Sequence, residues 1–161
     1  MMILLDRADG SPAGRRVRIG ELRVASLQPT HPLRATFGDH IRLRGYDLRQ
    51  SPEALSLSLF WQALSEMHSS YKFFVHLADP ASGDILAQVD TMPRQWTYPT
   101  DQWVEGEVVR DVVELPLKDV PPGQYALFVG WYDPVTGRRL SAYGSQDERR
   151  PQDAVSVTAI G

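Results

Sequence analysis

Hydrophobic and polar residues alternate with a period of two along three stretches of the chain. In residues 55–63, Leu55, Leu57, Leu59, Trp61 and Ala63 share one face, and Ser56, Ser58, Phe60 and Gln62 take the other. Phe73, Val75 and Leu77 repeat the pattern, as do Tyr125, Leu127, Val129 and Trp131. Side chains on a strand point alternately to its two sides, so each stretch predicts a strand with one buried face. Weaker signals add a first strand at 17–24, built on Val17, Ile19, Leu22 and Val24, and further strands at 41–48, 85–89, 107–115 and 154–160. Ile41 and Leu43 are expected in the core, with Tyr46 and Leu48 on the second face. Residues 138–143 are expected to pair back as a hairpin arm.

The connections are short and rich in turn residues. Pro29 and Pro32 predict an extended surface run over 28–33. Residues 64–70 have room for one helical turn at most. Residues 145–153 are charged and expected to be mobile. The reading is therefore all-β: a two-sheet antiparallel β-sandwich of 8–9 strands, immunoglobulin-like or jelly-roll in connectivity, with a closed barrel as the lesser option. Residues 1–16 form a loose lead-in, and 17–161 form one domain.

A motif recurs. FVHLADPASGDIL begins at Phe74 and FVGWYDPVTGRRL begins at Phe128. In each, an Asp carboxylate can accept backbone N–H groups two and three residues on. Pro fixes φ at the corner, and Gly supplies a left-handed residue. Two independent hairpins sharing one good turn is the plainer explanation, and a duplication is the alternative.

Composition narrows the function classes. The chain has 161 residues, 42% hydrophobic and 23% charged, with net charge −3. Such a chain has the makeup of a globular domain with a sizeable core, and it lacks the basic field that nucleic acid binding needs. Cysteine is absent, which removes disulfides and thiolate metal sites. Residues 1–5 are apolar, but Asp6 and Arg7 come at once after them, so neither a signal peptide nor a membrane helix is expected there. So abrupt a start fits a piece of a longer protein.

Several stretches together resemble a known family: FGDHIRLRGYDL at 37–48, LSLFWQAL at 57–64, YKFFVHLADPASGDILAQVD at 71–90, YPTDQW at 98–103 and LPLKDVPPGQYALFVGWYDPVTGRRL at 115–140. They are similar to the C-terminal β-sandwich domain of bacterial membrane glycosyltransferases of the dolichyl-phosphate-mannose–protein mannosyltransferase-like superfamily. The likeness covers roughly residues 17–143. It implies a non-catalytic accessory domain on the extracytoplasmic face of the membrane, soluble as this fragment. Its implied partners are glycan or lipid-linked sugar and the membrane-embedded remainder of a longer chain. No catalytic residue carries over, and neither cofactor nor metal is expected.

The residues offer two candidate sites. Residues 92–106 form the longest stretch without a pattern, and a loop of that length is either functional or a lid. It holds Trp96, Tyr98, Asp101, Gln102 and Trp103. Aromatic faces stack on the C–H faces of sugars, while amides and carboxylates bind hydroxyls. The alternative is a lid whose aromatics plug the sandwich. Trp103, next to the following strand, is expected to turn inward, and Trp96 or Tyr98 to stay partly exposed. The second candidate is His76 with Asp90, on neighbouring strands, where a His–Asp pair could orient a proton carrier or a metal ligand. A surface hydrogen-bonded pair is the plainer alternative. His31, His40 and His68 have no zinc spacing, and Asp79, Asp84 and Asp133 are explained by turns rather than calcium. Arg138, Arg139, Arg149 and Arg150 read as a solvated cluster, with anionic lipid headgroups the alternative. Two functions stay open: glycan binding, or a structural docking module at the membrane face with no ligand of its own.

Overall fold

The computed structural model describes residues 28–160, so the expected strand at 17–24 and the lead-in at 1–16 lie outside the described residues. The described residues hold nine strands: β1 (His31–Phe37), β2 (Ile41–Gln50), β3 (Ala54–Ala63), β4 (Lys72–Ala78), β5 (Ile85–Thr91), β6 (Val108–Pro116), β7 (Tyr125–Tyr132), β8 (Ala142–Tyr143) and β9 (Val155–Ile160). Two antiparallel sheets pack face to face, in the orders β9-β7-β4-β5 and β6-β3-β2-β1-β8. The fold is the all-β sandwich that the alternation predicts.

The core lies where the three strongest patterns meet. Trp61 on β3 packs edge-on against Trp131 on β7 (ring centroids 4.9 Å apart), and Phe73 on β4 tilts against both at 5.5 and 5.1 Å. Leu55, Leu57, Leu59, Val75, Leu77, Leu127 and Val129 complete it. Edge-to-face aromatic pairs add about 0.5–1.5 kcal/mol each beyond the area they bury.

Several expectations are amended. Tyr46 and Leu48 do not lie on the second face. A bulge between Leu43 and Gly45 inserts Arg44, so the register steps from Leu43↔Trp61 to Gly45↔Phe60. The extra residue inverts the alternation, and Tyr46 and Leu48 pack on the same core as Ile41 and Leu43. The run at 28–33 is extended and largely exposed, as expected, and from His31 onward it also pairs as a strand, in which Pro32 faces Gly45. A side chain at Gly45 would meet Pro29 and the His31 carbonyl, which is why β2 can pass so close there. Residues 64–70 form bends with no helical turn, and Met67 from that stretch is buried. Only the start of the 138–143 arm pairs with β7: Tyr132 bridges Arg139, and Leu140 N–H donates to the Trp131 carbonyl (2.8 Å). The chain then crosses to the other sheet, where Ala142 and Tyr143 pair with Phe37 and Thr36 of β1.

Residues 145–153, expected to be mobile, are folded into a hydrogen-bonded loop. Gly144 N–H donates to the Glu148 carbonyl at 2.9 Å, and Arg149 grips the Asp153 carboxylate with two bonds of 2.6 and 3.0 Å. Those bonds hold the Asp153 carboxyl below the usual carboxylate range.

Candidate functional site

The loop at 92–106 closes one end of the sandwich, and its conformation is unusual. Arg94, Gln95 and Trp96 take positive φ in succession, at 52, 55 and 75°. A left-handed residue costs an L-amino acid roughly 1–2 kcal/mol, so a run of three needs strong external support. The support is visible. Arg94 N–H donates to Asp111 Oδ2 at 2.6 Å, and Arg94 Nε–H donates to the Arg110 carbonyl. Thr97 N–H and Oγ1–H both donate to the Arg94 carbonyl, and Tyr98 N–H donates to that of Pro93.

Asp111 is the anchor that sequence reasoning missed. It sits on the core-facing side of β6 among Val109, Val113 and Leu115, only 3% exposed. Burial pushes its carboxyl pKa up, and the Arg94 N–H opposes that shift. A carboxylate on the apolar side of an alternating strand was the available signal. Thr100 anchors the other half of the loop: it donates to the Ser69 carbonyl at 2.6 Å and accepts from Tyr71 N–H at 2.9 Å.

The five aromatic and polar candidates separate. Trp103 is 2% exposed, packs edge-on against Trp131 at 5.9 Å, and donates its Nε1–H to the Tyr98 carbonyl. It belongs to the core and leaves the candidate surface. Tyr98 is half-buried, and its hydroxyl donates to the Glu107 carboxylate, whose bond raises the phenol pKa. Asp101 and Gln102 are exposed on a short 3-10 turn, Thr100–Gln102. Trp96 is 58% exposed. Its ring lies 4.8 Å from the Lys72 ammonium, which also stands 5.9 Å from the Tyr132 ring. Trp96, Lys72 and Tyr132 therefore form one patch at the outer face of the four-stranded sheet.

His76 and Asp90 share that outer face without forming a pair. The register sets His76 opposite Gln88 and Asp90 opposite Phe74, so the two are diagonal neighbours, and no hydrogen bond joins them among the described residues. Burial lowers the His76 pKa, Arg139 lowers it further, and Asp90 opposes with the weakest effect. Among the described residues, no group of three or more His, Asp or Glu side chains could hold a metal ion.

His76 instead lines a cleft of about 330 Å³ with Ile85, Phe128, Arg139, Arg150 and Gln152. Arg139 lies over the Phe74 ring at 4.3 Å and donates to the Gln152 carbonyl at 2.8 Å. Phe74 in turn covers Gly130, where any Cβ would overlap the ring.

No family model and no curated protein matches the chain. Among solved structures it is similar to β-glucosidase 3B from Thermotoga neapolitana in complex with glucose, at 14% identity and a TM-score of 0.40. That match covers 80% of this chain and 16% of the glucosidase. No helix among the described residues is long and apolar enough to cross a membrane.

Proposed function

We propose that this chain is a non-catalytic accessory domain that binds glycan or lipid-linked sugar for a longer, membrane glycosyltransferase-like protein on the extracytoplasmic face. The observation that carries the reading is Trp96: a large ring left 58% exposed on a turn of three left-handed residues. Strained backbone held by its surroundings clusters at ligand sites. A fixed ring loses little entropy on contact, and beside it Lys72 and the Tyr132 hydroxyl can donate to sugar oxygens. A glycan array with the 161-residue chain tests the reading. Trp96→Ala should lower affinity for the bound glycans about tenfold or more, the equivalent of one stacking contact. Unchanged affinity for every glycan would reduce the loop to a lid.

In that event the docking-module reading takes first place, and the opposite sheet supports it. The outward positions of β2 and β6 carry Arg42, Arg44, Arg49 and Arg110 against Asp47 and Glu114, a basic excess on a protein of net charge −3. Arg44 donates to Gln62 Oε1 and Arg110 to Ser58 Oγ, which ties these two guanidinium groups to β3. Charge reversal at Arg42 and Arg110 should abolish salt-sensitive association with the membrane-embedded remainder of the parent chain and leave glycan binding intact.

A further inference from the structure

The cleft around His76 is roughly 13 Å along β4 from the Lys72 end of the sheet, taking about 3.3 Å per residue. It therefore stands apart from the Trp96 patch and does not depend on the role given to that loop. Its volume, about 330 Å³, lies within the range of small-ligand sites. One wall is apolar, formed by the half-buried Phe128 ring and by Ile85, which is 48% exposed. The other wall carries Arg139 and Arg150.

Arg139 is pre-positioned by the Phe74 ring beneath it and by the Gln152 carbonyl at its edge. That single bond uses one of its five N–H donors. Among the described residues no carboxylate lies within 4.0 Å of it, and Asp153, which is held by Arg149, feels the Arg139 charge only weakly. Arg150 meets only Glu148, at 3.6 Å and near the surface. The carboxylate of Asp79, also in the lining, is engaged by the Ala81 and Ser82 N–H groups of its own turn. The cleft thus offers a fixed guanidinium fork, a second cation, a neutral imidazole and an aromatic wall.

We propose that this cleft binds a carboxylate-bearing sugar, a uronic acid residue, with its carboxylate on the Arg139 fork and its apolar ring face on Phe128. A guanidinium fork takes a carboxylate or a phosphate bidentately, and it is the apolar Phe128 wall beside the fork, suited to the C–H face of a ring, that favours an acidic sugar over a bare phosphate. Arg150 steers the anion in, and His76 donates to or accepts from a ring hydroxyl.

The test is an NMR titration of the full chain, following the His76 ring and Arg139 Nε–H signals. Three probes are used: a glucuronic acid disaccharide, its neutral glucose counterpart and inorganic phosphate. The acidic disaccharide should shift both signals and bind at least tenfold more tightly than the neutral one or phosphate. Arg139→Gln should abolish that preference, and Arg139→Lys, which keeps the charge but not the fork, should recover only part of it. Trp96→Ala should leave the titration unchanged. Equal binding of acidic and neutral sugars, competition by phosphate at equal concentration, or a folded Arg139→Gln variant with unaltered affinity would each overturn the proposal.

Discussion

The two Asp-Pro turns share four local hydrogen bonds and differ in one, the Ser82 N–H bond to Asp79 Oδ1 at the first, yet the chain continues differently beyond each. At the first, Asp79 Oδ1 accepts Ala81 N–H at 2.8 Å, Gly83 N–H returns to the Asp79 carbonyl at 2.8 Å, and Gly83 has φ 81°. At the second, Asp133 Oδ1 accepts Val135 N–H at 2.8 Å, Gly137 N–H returns to the Asp133 carbonyl at 2.7 Å, and Gly137 has φ 76°. A Ser82 or Thr136 hydroxyl accepts the N–H two residues on in both. The strands before the turns, β4 and β7, pair with each other, and Val75 faces Val129, its own counterpart in the repeat. A local two-fold therefore relates the two hairpins.

After the turns the symmetry fails. The first arm continues as β5 and pairs along β4 from Ala78 to Phe73. The second leaves β7 after Leu140, because that edge of β7 is already occupied: β9 pairs with it from Val129 to Tyr125. Identical turn chemistry thus sets the reversal, and the free edge of the preceding strand sets the length of the hairpin.

Equivalent positions on the two copies carry different residues, which makes the comparison testable. The largest effect should come at Trp131, whose counterpart is Leu77. Trp131 touches Trp61, Phe73 and Trp103. Trp131→Ala should cost about 3–5 kcal/mol and Leu77→Ala about 2–5 kcal/mol, with Trp131 the greater, measured by urea unfolding. Trp131→Phe should cost much less than Trp131→Ala, since the buried Trp131 Nε1–H has no hydrogen-bond partner among the described residues to lose. A cost from Trp131→Ala below that from Leu77→Ala would show that the aromatic cluster around Trp131 is not the centre of the core.

Next in size is Gly130, whose counterpart is His76. Gly130→Ala drives a methyl into the Phe74 ring and the Asp153 carbonyl, which should cost about 1–3 kcal/mol and loosen Arg139 from Phe74. His76→Ala should cost less, as the imidazole is only half-buried and lines the open cleft. At the turns themselves, Gly83→Ala and Gly137→Ala each place a methyl in open space at positive φ. Each should cost about 1–2 kcal/mol, and the two should agree closely. A difference larger than either value would mean that the turns are not energetically equivalent.

How much of this the sequence made legible depends on the range of the interaction. Strands β3, β4 and β7 and their buried faces are set by alternation, and Trp103 inward with Trp96 outward by their places in the loop. The bulge at Arg44 was not legible, because nothing local distinguishes an inserted residue from a change of face. The loop's left-handed turn was hidden for a related reason: Pro93 and Pro99 suggested order, but its anchor is Asp111 on the next strand, β6. The departure of the second arm depends on β9 taking the edge of β7. His76 and Asp90 were placed on adjacent strands correctly, but the bulge between Leu77 and Ala78, which was not legible, sets the register: it puts both on one face with Gln88 opposite His76, so the two are diagonal neighbours.

The smallest effect separates the hairpins by charge rather than packing. Only the first copy has a titratable group at the position of Gly130, namely His76. Its folded-state pKa lies below the ordinary 6.5, first from burial and then from Arg139. Above pH 6.5 the imidazole is neutral in both folded and unfolded chains and adds no pH dependence. As pH falls from 6.5 toward the folded value, the unfolded chain takes up the proton first, so stability falls, and the loss is complete below the folded pKa. Carboxylates such as Asp111, whose raised pKa gives stability the opposite slope at lower pH, are common to both proteins when wild type is compared with His76→Gln. The difference between their unfolding free energies should therefore narrow or reverse across this window alone. Arg139→Gln should shrink the effect by letting the His76 pKa rise, and Asp90→Asn should enlarge it by removing the one opposing charge. An NMR titration of the His76 ring in the three proteins reads the order directly, and a His76 pKa unmoved by Arg139→Gln would detach Arg139 from the imidazole.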